Sequence, residues 1–504
     1  MLKRIGIVLG LIALACMAAQ PPPTARDRVL QKRLAAVLNA PGFQQGFWGV
    51  YVYSLDRRRV LFDHNGEKWF TPASNAKLFT LAAALQLLGP DFRFHTAVQS
   101  TAAPDASGVI HGDLALIGVG DPSFSGRPYP YQLDPAEPAL PYDPLLAPRK
   151  LAAELAARGV KRITGDVVGD DSYFLPDPYP DGWAIGDMLW DYGAPVSALT
   201  LNDNTRFLQI YPGAAPGDAP RLVWTPALDT PSVELTLTTV AATAATRINL
   251  DTDPLNGALR ISGTIARNSP GVLQALAVRQ PALYAAGLLR AALLEQGIAV
   301  EGAARARHVA RAAAAPGYEL ASWDSPPLAQ IVQVTAKVSQ NLEAELMLRL
   351  LGKLRGTTLR HYEGPPENAG RAVRSEFLRH AGLDADDTVL SDGSGLARND
   401  LITAAGMVRL LRYMDQQPDA AVWRGLLPVA GSDGTLDHRF QHTAAAGRLR
   451  AKTGSLSHVY TLSGYVVSRH GERLAFSLLS NNVDHPGSQV RGQLDRLAEV
   501  LAAW

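Results

Sequence analysis

Ser74 and Lys77 have the residue types and the spacing that allow covalent chemistry. Of the nine lysines in the chain, only Lys77 has a serine three residues before it. On a helix, side chains three positions apart lie on one face and can touch. Burial lowers the pKa of a lysine amine, and a neutral amine can take the proton of a serine hydroxyl. The pair predicts a serine nucleophile with a lysine base, although one such pair also fits an ordinary helix surface.

A second triplet, Ser339-Gln340-Asn341, lies between two helical patterns. In an extended turn, its first and third side chains point to the same side, so a hydroxyl and an amide would face one cleft. The hydroxyl can relay a proton, and the amide can accept from an ammonium while it donates to a carbonyl. Taken alone, the triplet has a simpler explanation, which is helix capping by Ser339 or Asn341.

A third triplet, Lys452-Thr453-Gly454, ends an alternating, strand-like segment. On a strand, Lys452 would point into a cleft, and Gly454 would leave the strand edge bare for an extended peptide to pair with. Lys452 would also supply a second cation that lowers the pKa of Lys77. Taken alone, the triplet is explained by a strand that turns at its glycine.

Together and in this order, the three motifs resemble the signature of penicillin-binding proteins and class A β-lactamases, with Gln340 in place of the usual middle aspartate. Ser74 and Ser339 are 265 residues apart, which is far more than a β-lactamase allows. From about Trp48 onward, the chain resembles the class C low-molecular-mass penicillin-binding proteins, which are serine D-alanyl-D-alanine carboxypeptidases and endopeptidases. Glycine-containing segments add to the resemblance: Gly112-Asp113-Leu114, Gly120-Asp121-Pro122, Gly165-Asp166-Val167 with Asp170, 193–199, 392–396 and 427–431.

The resemblance implies an acyl-enzyme mechanism on peptides that end in D-Ala-D-Ala. In that mechanism, Ser74 attacks the scissile carbonyl and Lys77 takes its proton. Ser339 passes a proton toward the leaving amine, and Asn341 orients the lysine and the substrate. β-Lactams resemble the substrate, so they are expected to acylate Ser74.

The substrate-binding residues follow from the same resemblance. Lys452 and Thr453 would hold the terminal carboxylate beside the bare edge at Gly454. The backbone N–H groups of Ser74 and Ser455 would form the oxyanion hole.

An acid from the middle of the chain and an arginine after the Asp-Gly-Ser-Gly segment help such proteins to hold the peptide side chain. The matching positions are Asp170 and Arg398, and Asp170 alone is also explained as a turn residue. The expected partners are therefore peptidoglycan stem peptides and β-lactam antibiotics.

Other chemistries find little support in the sequence. The formal net charge is +1, which gives no long-range field to attract nucleic acid. The chain has no His-Glu-x-x-His, no pair of cysteines, no Gly-x-Ser-x-Gly and no phosphate-binding glycine loop, so neither a metal nor another cofactor is expected.

The N-terminus predicts export. Lys3 and Arg4 precede an apolar run over 5–15 that is too short to span a bilayer, and Cys16 follows it. Residues 1–19 are therefore assigned to a signal peptide. Cys16 is the only cysteine, in a context that resembles a lipoprotein cleavage box, so either lipidation of Cys16 or its loss with the signal remains open. Both outcomes place the mature protein in the periplasm or the cell envelope, and lipidation would attach it to a membrane.

Hydrophobic periodicity predicts the elements that must position these residues. A helix over 72–88 would carry Ser74 in its first turn, with Thr71 as its N-cap and Pro72 at its first position. The other predicted helices span 25–38, 281–296, 328–338, 342–351, 369–380, 403–414 and 489–501, and the predicted strands near the chain ends span 48–53, 60–62, 449–453, 459–467 and 474–480.

The pattern indicates an α/β (α+β) serine transpeptidase fold of the penicillin-binding and β-lactamase type, with an antiparallel sheet covered by helices. The catalytic domain would comprise 25–92 together with 275–504. A β-rich inserted region, 93–274, would hold two nested subdomains, and its Pro- and Tyr-rich span 121–148 is predicted to be an irregular surface excursion.

Two other functions remain possible on the sequence alone. A β-lactamase would turn penicillin over instead of keeping a stable adduct, and the long gap between the first two motifs argues against it. A non-catalytic, cell-wall-binding lipoprotein would bind peptides without releasing D-Ala, and the complete set of motifs argues against that. The sequence leaves open whether the enzyme trims terminal D-Ala or cuts cross-links.

Overall fold

A computed structural model describes residues 22–133, 139–228, 230–253, 256–309, 317–356 and 368–504. The predicted signal peptide, with Cys16, lies outside these ranges. Among the residues that the structure describes, no helix has both the length and the apolar composition that a membrane span requires.

Ten α-helices form within the described ranges. They are α1 Ala25–Leu38, α2 Lys77–Leu88, α3 Leu146–Ala157, α4 Pro281–Glu295, α5 Leu328–Val338, α6 Asn341–Arg355, α7 Ala369–His380, α8 Ala404–Asp415, α9 Ala420–Leu426 and α10 Gly487–Ala503. The bounds of α1, α4, α5, α7 and α8 lie within one residue of the predicted ones. α3 and α9 have no counterpart among the predicted helices.

The strands are long in one central sheet and mostly short elsewhere. They are β1 Phe47–Ser54, β2 Arg59–His64, β3 Trp69–Phe70, β4 His95–Ser100, β5 Val109–Ile110, β6 Leu114–Ile117, β7 Arg162–Ile163, β8 Val167–Asp170, β9 Thr205–Tyr211, β10 Arg221–Thr225, β11 Val233–Val240, β12 Arg247–Thr252, β13 Leu259–Ala266, β14 Val272–Ala277, β15 Ala299–Val300, β16 Ala304–Arg307, β17 Tyr318–Asp324, β18 Thr388–Val389, β19 Leu401–Thr403, β20 Leu449–Leu456, β21 Val459–Val467 and β22 Arg473–Asn481.

The central sheet has the strand order β2-β1-β22-β21-β20, and every neighbouring pair is antiparallel. Side chains alternate between the two faces of a strand, and in this sheet both faces are buried. On β1, Val50 and Val52 pack in the core that contains α1 and α10, whereas Tyr51 and Tyr53 face the core that contains α2 and α8. The predicted antiparallel sheet covered by helices is present, and helices cover both of its faces.

The middle of the chain forms four further sheets around two separate cores. The sheets β16-β8-β6-β4-β17 and β15-β7-β5 share a core with α3 and α4. The sheets β10-β9-β14 and β11-β13-β12 surround a smaller core that includes Leu208, Ile261 and Leu276. We call the region from β4 to β17 the insert.

The strand pairing extends the insert beyond its predicted end at 274. α4 packs on β8, while β16 and β17 pair with β8 and β4, so the insert continues to Asp324. The span 121–148 is also not a surface excursion throughout, because Ser123 and Phe124 are buried and α3 begins at Leu146. Hydrophobic periodicity identifies a buried helix or strand but does not say which core it joins, and this explains the first difference. The second arises because a high content of Pro and Tyr indicates irregular backbone but does not determine burial.

Candidate active site

Ser74 is half-buried in a short 3-10 turn, Ala73–Ala76, that leads directly into α2. The predicted N-cap is wrong, because Pro72 occupies the capping position of this turn and no side chain caps it. The backbone of Thr71 instead exchanges hydrogen bonds of 2.8 and 3.1 Å with the side chain of Asn481 on β22. Ala73 has φ = +47°, a left-handed conformation that is strained for a residue with a side chain. Contacts with the central sheet, and not a local cap, therefore set the conformation of the turn.

The amine of Lys77 is enclosed by three acceptors. Its Nζ lies 2.9 Å from Ser74 Oγ, 2.5 Å from Asn341 Oδ1 and 2.9 Å from the carbonyl oxygen of Ser394. The side chain is fully buried, and burial lowers the pKa of Lys77 to about 7, although nearby buried carboxylates oppose the shift. Near neutral pH, a large fraction of the amine is therefore unprotonated and within reach of the Ser74 hydroxyl.

The Ser339-Gln340-Asn341 triplet connects α5 to α6. Ser339 ends α5 in a left-handed conformation (φ = +64°), and Asn341 begins α6. This change of direction brings Ser339 Oγ within 2.8 Å of Lys452 Nζ and Asn341 Oδ1 to Lys77. The side chain of Gln340 caps α6 by accepting a backbone N–H of its first turn (3.1 Å), so capping by Ser339 or Asn341 is not what the triplet does.

The third triplet lies on β20, the edge strand of the central sheet. Lys452 is buried, and its Nζ donates to Ser339 Oγ and to the carbonyl oxygen of Thr453, both at 2.8 Å. The hydroxyl of Thr453 donates to that of Thr435 (2.8 Å). Burial, together with the charge of Lys77, lowers the pKa of Lys452. The predicted like-charge effect is thus found at Lys452, whereas the lowered pKa of Lys77 follows from burial.

Gly454 allows β20 to pass directly against the turn that carries Ser74. A Cβ at this position would lie 3.0 Å from the amide nitrogen of Ser74 and 2.8 Å from the carbonyl oxygen of Pro72. A larger residue would therefore push the strand away from the nucleophile. The next residue, Ser455, is exposed on the same strand.

A loop over 392–397 forms the far side of the Lys77 pocket. The carboxylate of Asp392 is buried and accepts hydrogen bonds from the four successive backbone N–H groups of 394–397. These bonds fold the loop so that the carbonyl of Ser394 points at Lys77. In the sequence, this segment stands out only through the family resemblance, and no local pattern indicates that its backbone reaches the catalytic amine.

Two further features hold the loop in place. Gly395 has φ = +81°, and a Cβ there would lie 1.9 Å from the carbonyl oxygen of Ala73, so only glycine lets the loop contact the Ser74 turn. Burial alone would raise the pKa of Asp392, but hydrogen bonds, including one with Asp400, lower it. Burial and the charge of Asp392 raise the pKa of Asp400 well above its usual value, so of the two carboxyl groups Asp400 holds its proton more readily.

The insert touches both sides of this pocket, which the sequence did not predict. The indole nitrogen of Trp183 donates to the carboxylate of Asp392 (2.8 Å). The amide nitrogen of Asn341 donates to the backbone carbonyl of Tyr192 (2.8 Å). One segment of the insert, 183–192, is therefore tied at its two ends to groups that contact Lys77.

The two remaining predicted residues lie in different places. Arg398 is exposed, and its guanidinium donates to the carbonyl of Ser457 (3.4 Å) in the turn that follows β20. The carboxylate of Asp170 accepts from Arg307 (2.9 Å) and from the N–H of Ser172 (3.0 Å), so its described hydrogen bonds stay within the insert. Among the described side chains, no cluster of three or more His, Cys, Asp and Glu residues has the arrangement of a metal site.

Replacing Trp183 by phenylalanine tests the bond between the insert and Asp392. The substitution keeps an aromatic ring but removes the N–H donor, so we expect the free energy of unfolding to fall by about 1–3 kcal/mol. We also expect acylation of Ser74 by a fluorescent penicillin to slow, because the loop that faces Lys77 loses a support. Thermal unfolding measures the change in stability, and a quenched time course of penicillin labelling measures the acylation rate.

The matched control is Trp323→Phe, because the buried indole nitrogen of Trp323 has no hydrogen-bond partner among the described residues. We expect this variant to keep the stability and the labelling rate of the natural chain. Equal effects of the two substitutions would mean that ring packing, and not the Trp183 hydrogen bond, matters.

Comparisons with known proteins agree with this geometry. The sequence model of the D-Ala-D-Ala carboxypeptidase 3 (S13) family matches residues 30–501. A D-alanyl-D-alanine carboxypeptidase of an Actinomadura species is 32% identical over 99% of this chain and 90% of its own length. The D-alanyl-D-alanine carboxypeptidase DacB of Haemophilus influenzae is 26% identical over 85% of this chain and 84% of its own length.

Solved structures show the same fold. The crystal structure of penicillin-binding protein 4 from Haemophilus influenzae superposes with a TM-score of 0.75 at 24% identity, covering 94% of this chain and 98% of that one. A second structure of the same protein, in complex with a β-lactam, gives a TM-score of 0.69 at 23% identity, with the same coverage. The predicted fold class and family are confirmed. The chain belongs to the D-Ala-D-Ala carboxypeptidase 3 (S13) family of serine peptidases, among the low-molecular-mass penicillin-binding proteins.

Proposed function

We propose that this peptidase acts on peptidoglycan stem peptides that end in D-Ala-D-Ala, through an acyl-enzyme on Ser74. The observation that supports this most directly is the environment of Lys77. Its amine lies 2.9 Å from Ser74 Oγ, and burial lowers its pKa to about 7. A neutral amine at that distance can accept the hydroxyl proton as the oxygen attacks.

In the acylation step, Ser74 Oγ forms a bond to the scissile carbonyl carbon while its proton moves to Lys77 Nζ. The backbone N–H groups of Ser74 and Ser455 stabilise the oxyanion. When the C–N bond breaks, the Ser339 hydroxyl gives its proton to the leaving amine and takes one from Lys452, whose hydrogen bond it accepts. Water then attacks the ester carbonyl and gives a proton back to Lys452 through Ser339, while Lys77 returns its proton to Ser74 Oγ as the ester bond breaks.

Asn341 links catalysis to substrate binding. Its Oδ1 accepts from Lys77, while its Nδ2 is held by the carbonyl of Tyr192 in the insert. The amide therefore cannot rotate without losing one of two bonds, and it keeps the lysine amine directed at Ser74. In the complex, the substrate carbonyl next to the scissile bond would approach this amide.

The edge strand β20 receives the C-terminal end of the peptide. The terminal carboxylate lies against Thr453 and Lys452, and its negative charge favours the ammonium form of Lys452, whose pKa is lowered in the free enzyme. The bare edge at Gly454 leaves room for the peptide backbone. Arg398, beside the end of β20, and Asp170 in the insert are proposed to contact the side chain of the stem peptide.

The same chemistry serves removal of a terminal D-Ala and cleavage of a cross-link, so both reactions belong to the proposal. β-Lactams are proposed to acylate Ser74 and to leave a long-lived adduct. A non-catalytic wall-binding role is disfavoured because the family consists of peptidases and the Ser74–Lys77 contact is intact. A β-lactamase role is disfavoured by the family.

We propose that the protein acts in the periplasm or cell envelope after export. The support is the apolar run over 5–15 with the preceding Lys3 and Arg4. The test is to purify the protein from the envelope of the cells that produce it and to measure the mass of its N-terminal peptide, which shows how the signal is removed. A lipid-modified Cys16 as the first residue indicates an anchored protein, and cleavage near residue 19 indicates a free one. A cytoplasmic chain that keeps residues 1–15 would contradict export.

Ser74→Ala is expected to abolish both penicillin labelling and D-Ala release, because no other group can form the acyl bond. Mass spectrometry of the natural chain after benzylpenicillin should show one penicilloyl adduct, and peptide mapping should place it on the peptide that contains Ser74. Ser107→Ala, in an exposed loop of the insert, is the control and should label normally. Labelling that survives in Ser74→Ala would rule out this nucleophile.

The lowered pKa of Lys77 predicts how the acylation rate depends on pH. Below about pH 6, the neutral fraction of an amine with a pKa of about 7 rises about tenfold with each pH unit, and above about pH 8 it is nearly constant. The second-order rate constant for labelling by a fluorescent penicillin should follow this curve between pH 5 and pH 9. A rate that is flat or falls over this range would contradict a role of Lys77 as the base.

A further inference from the structure

The insert contains an open groove outside the catalytic cleft. Two cavities, of about 710 and 580 Å³, lie side by side and share the lining residues Tyr179, Arg206, Pro231 and Arg279. We call this pair of cavities the insert groove. The volume of each cavity lies in the range of pockets that hold ligands in proteins.

The groove combines apolar and aromatic walls with arginine. Trp190 and Trp224 line one cavity, and Tyr284 on α4 lines the other. The guanidinium of Arg206 lies over Trp224 (5.7 Å) and over Tyr284 (5.9 Å), between the two cavities. Trp190 and Trp224 are partly exposed whereas Tyr284 is buried, and partly exposed aromatic side chains at a concave surface are typical of a binding site.

The charge of the groove favours an anion. Arg279 is exposed, and no carboxylate among the described residues lies within ion-pair distance of its guanidinium. Gly257 makes room for that guanidinium, because a Cβ there would lie 2.1 Å from an Arg279 nitrogen. The lining contains two acids, and one of them, Asp253, forms an ion pair with Arg260. The other, Asp251, is exposed and lines only the cavity that contains Trp224.

The groove adjoins the catalytic pocket through the segment 183–192. The residues in the middle of this segment, up to Trp190, line the groove, whereas the carbonyl of Tyr192 holds Asn341. Two residues of chain span at most about 7 Å, so the groove wall and the catalytic asparagine are close neighbours. A polymer bound in the catalytic cleft can therefore reach the groove with another part of the same molecule.

We propose that the insert groove binds a second stem peptide of the peptidoglycan polymer, through a carboxylate held by Arg279 and apolar groups packed on Trp224. This inference rests on the proposed function, because it takes the catalytic cleft to hold the first stem peptide. A substrate with several stem peptides then binds at two sites, whereas a single peptide binds only at the cleft.

The test compares two substrates in the full-length mature enzyme. One is a synthetic pentapeptide that ends in D-Ala-D-Ala, and the other is a soluble peptidoglycan fragment with several such peptides. For Arg279→Glu and Trp224→Ala, we expect kcat/KM on the fragment to fall about tenfold, mainly through KM. The rates on the pentapeptide and with fluorescent penicillin should stay within about twofold. Arg279 is exposed, so its substitution leaves the fold intact even where Trp224→Ala weakens it.

Arg267→Glu, an exposed charge reversal elsewhere in the insert, is the matched control and should change neither rate. The proposal is overturned if the groove variants leave the fragment unaffected, or if they slow both substrates equally. Binding of the fragment to Ser74→Ala protein, measured by calorimetry, separates this result from the proposed function. If the natural chain releases no D-Ala but binding of the fragment still depends on Arg279, the proposed activity is wrong and the proposed groove site is supported. If binding of the fragment does not depend on Arg279, the proposed groove site is wrong.

Discussion

The site depends on keeping the amine of Lys77 out of water. A pKa lowered from 10.5 to about 7 corresponds to about 5 kcal/mol of free energy against the ammonium form. An unpaired polar group in such a place would be costly, and the structure meets this with three acceptors from three different parts of the chain. The 3-10 turn, the start of α6 and the 392–397 loop must therefore converge on Lys77 Nζ, and the catalytic domain holds these three segments together.

The 392–397 loop also contains buried polar groups that need partners, and here the buried charge is negative. Its backbone N–H groups need an acceptor away from water, and the ionised carboxylate of Asp392 provides one for four of them. The charge of Asp392 and burial raise the pKa of the neighbouring Asp400, which disfavours two buried negative charges in contact. The carboxylate does no chemistry on the substrate. It holds the loop in a conformation in which the Ser394 carbonyl accepts a hydrogen bond from Lys77. The carboxylate therefore affects catalysis by positioning the lysine.

The insert is part of the active site and not a separate addition to it. Through Trp183 and Tyr192, it supplies a donor to Asp392 and an acceptor to Asn341. Substrate that binds against the insert can thus act on groups that touch Lys77 without reaching the lysine itself. A long insertion at this point of the chain is tolerated because its strands close on their own cores. The chain leaves after α2 and returns at α5, and these two helices pack in the same core.

The sequence by itself determined the identity and order of the chemical groups and the helices and strands with a strong local pattern. Ser74 and Lys77, the two later triplets and helices such as α5 and α7 could all be predicted, because residue type and hydrophobic periodicity are local properties. Tertiary structure alone decided the 3-10 turn in place of the capped helix, the role of Gln340, the end of the insert and the contacts of Trp183 and Tyr192. These features arise from strand pairing, burial and hydrogen bonds between residues that are far apart in the chain, and no local pattern records which distant segment will supply the partner.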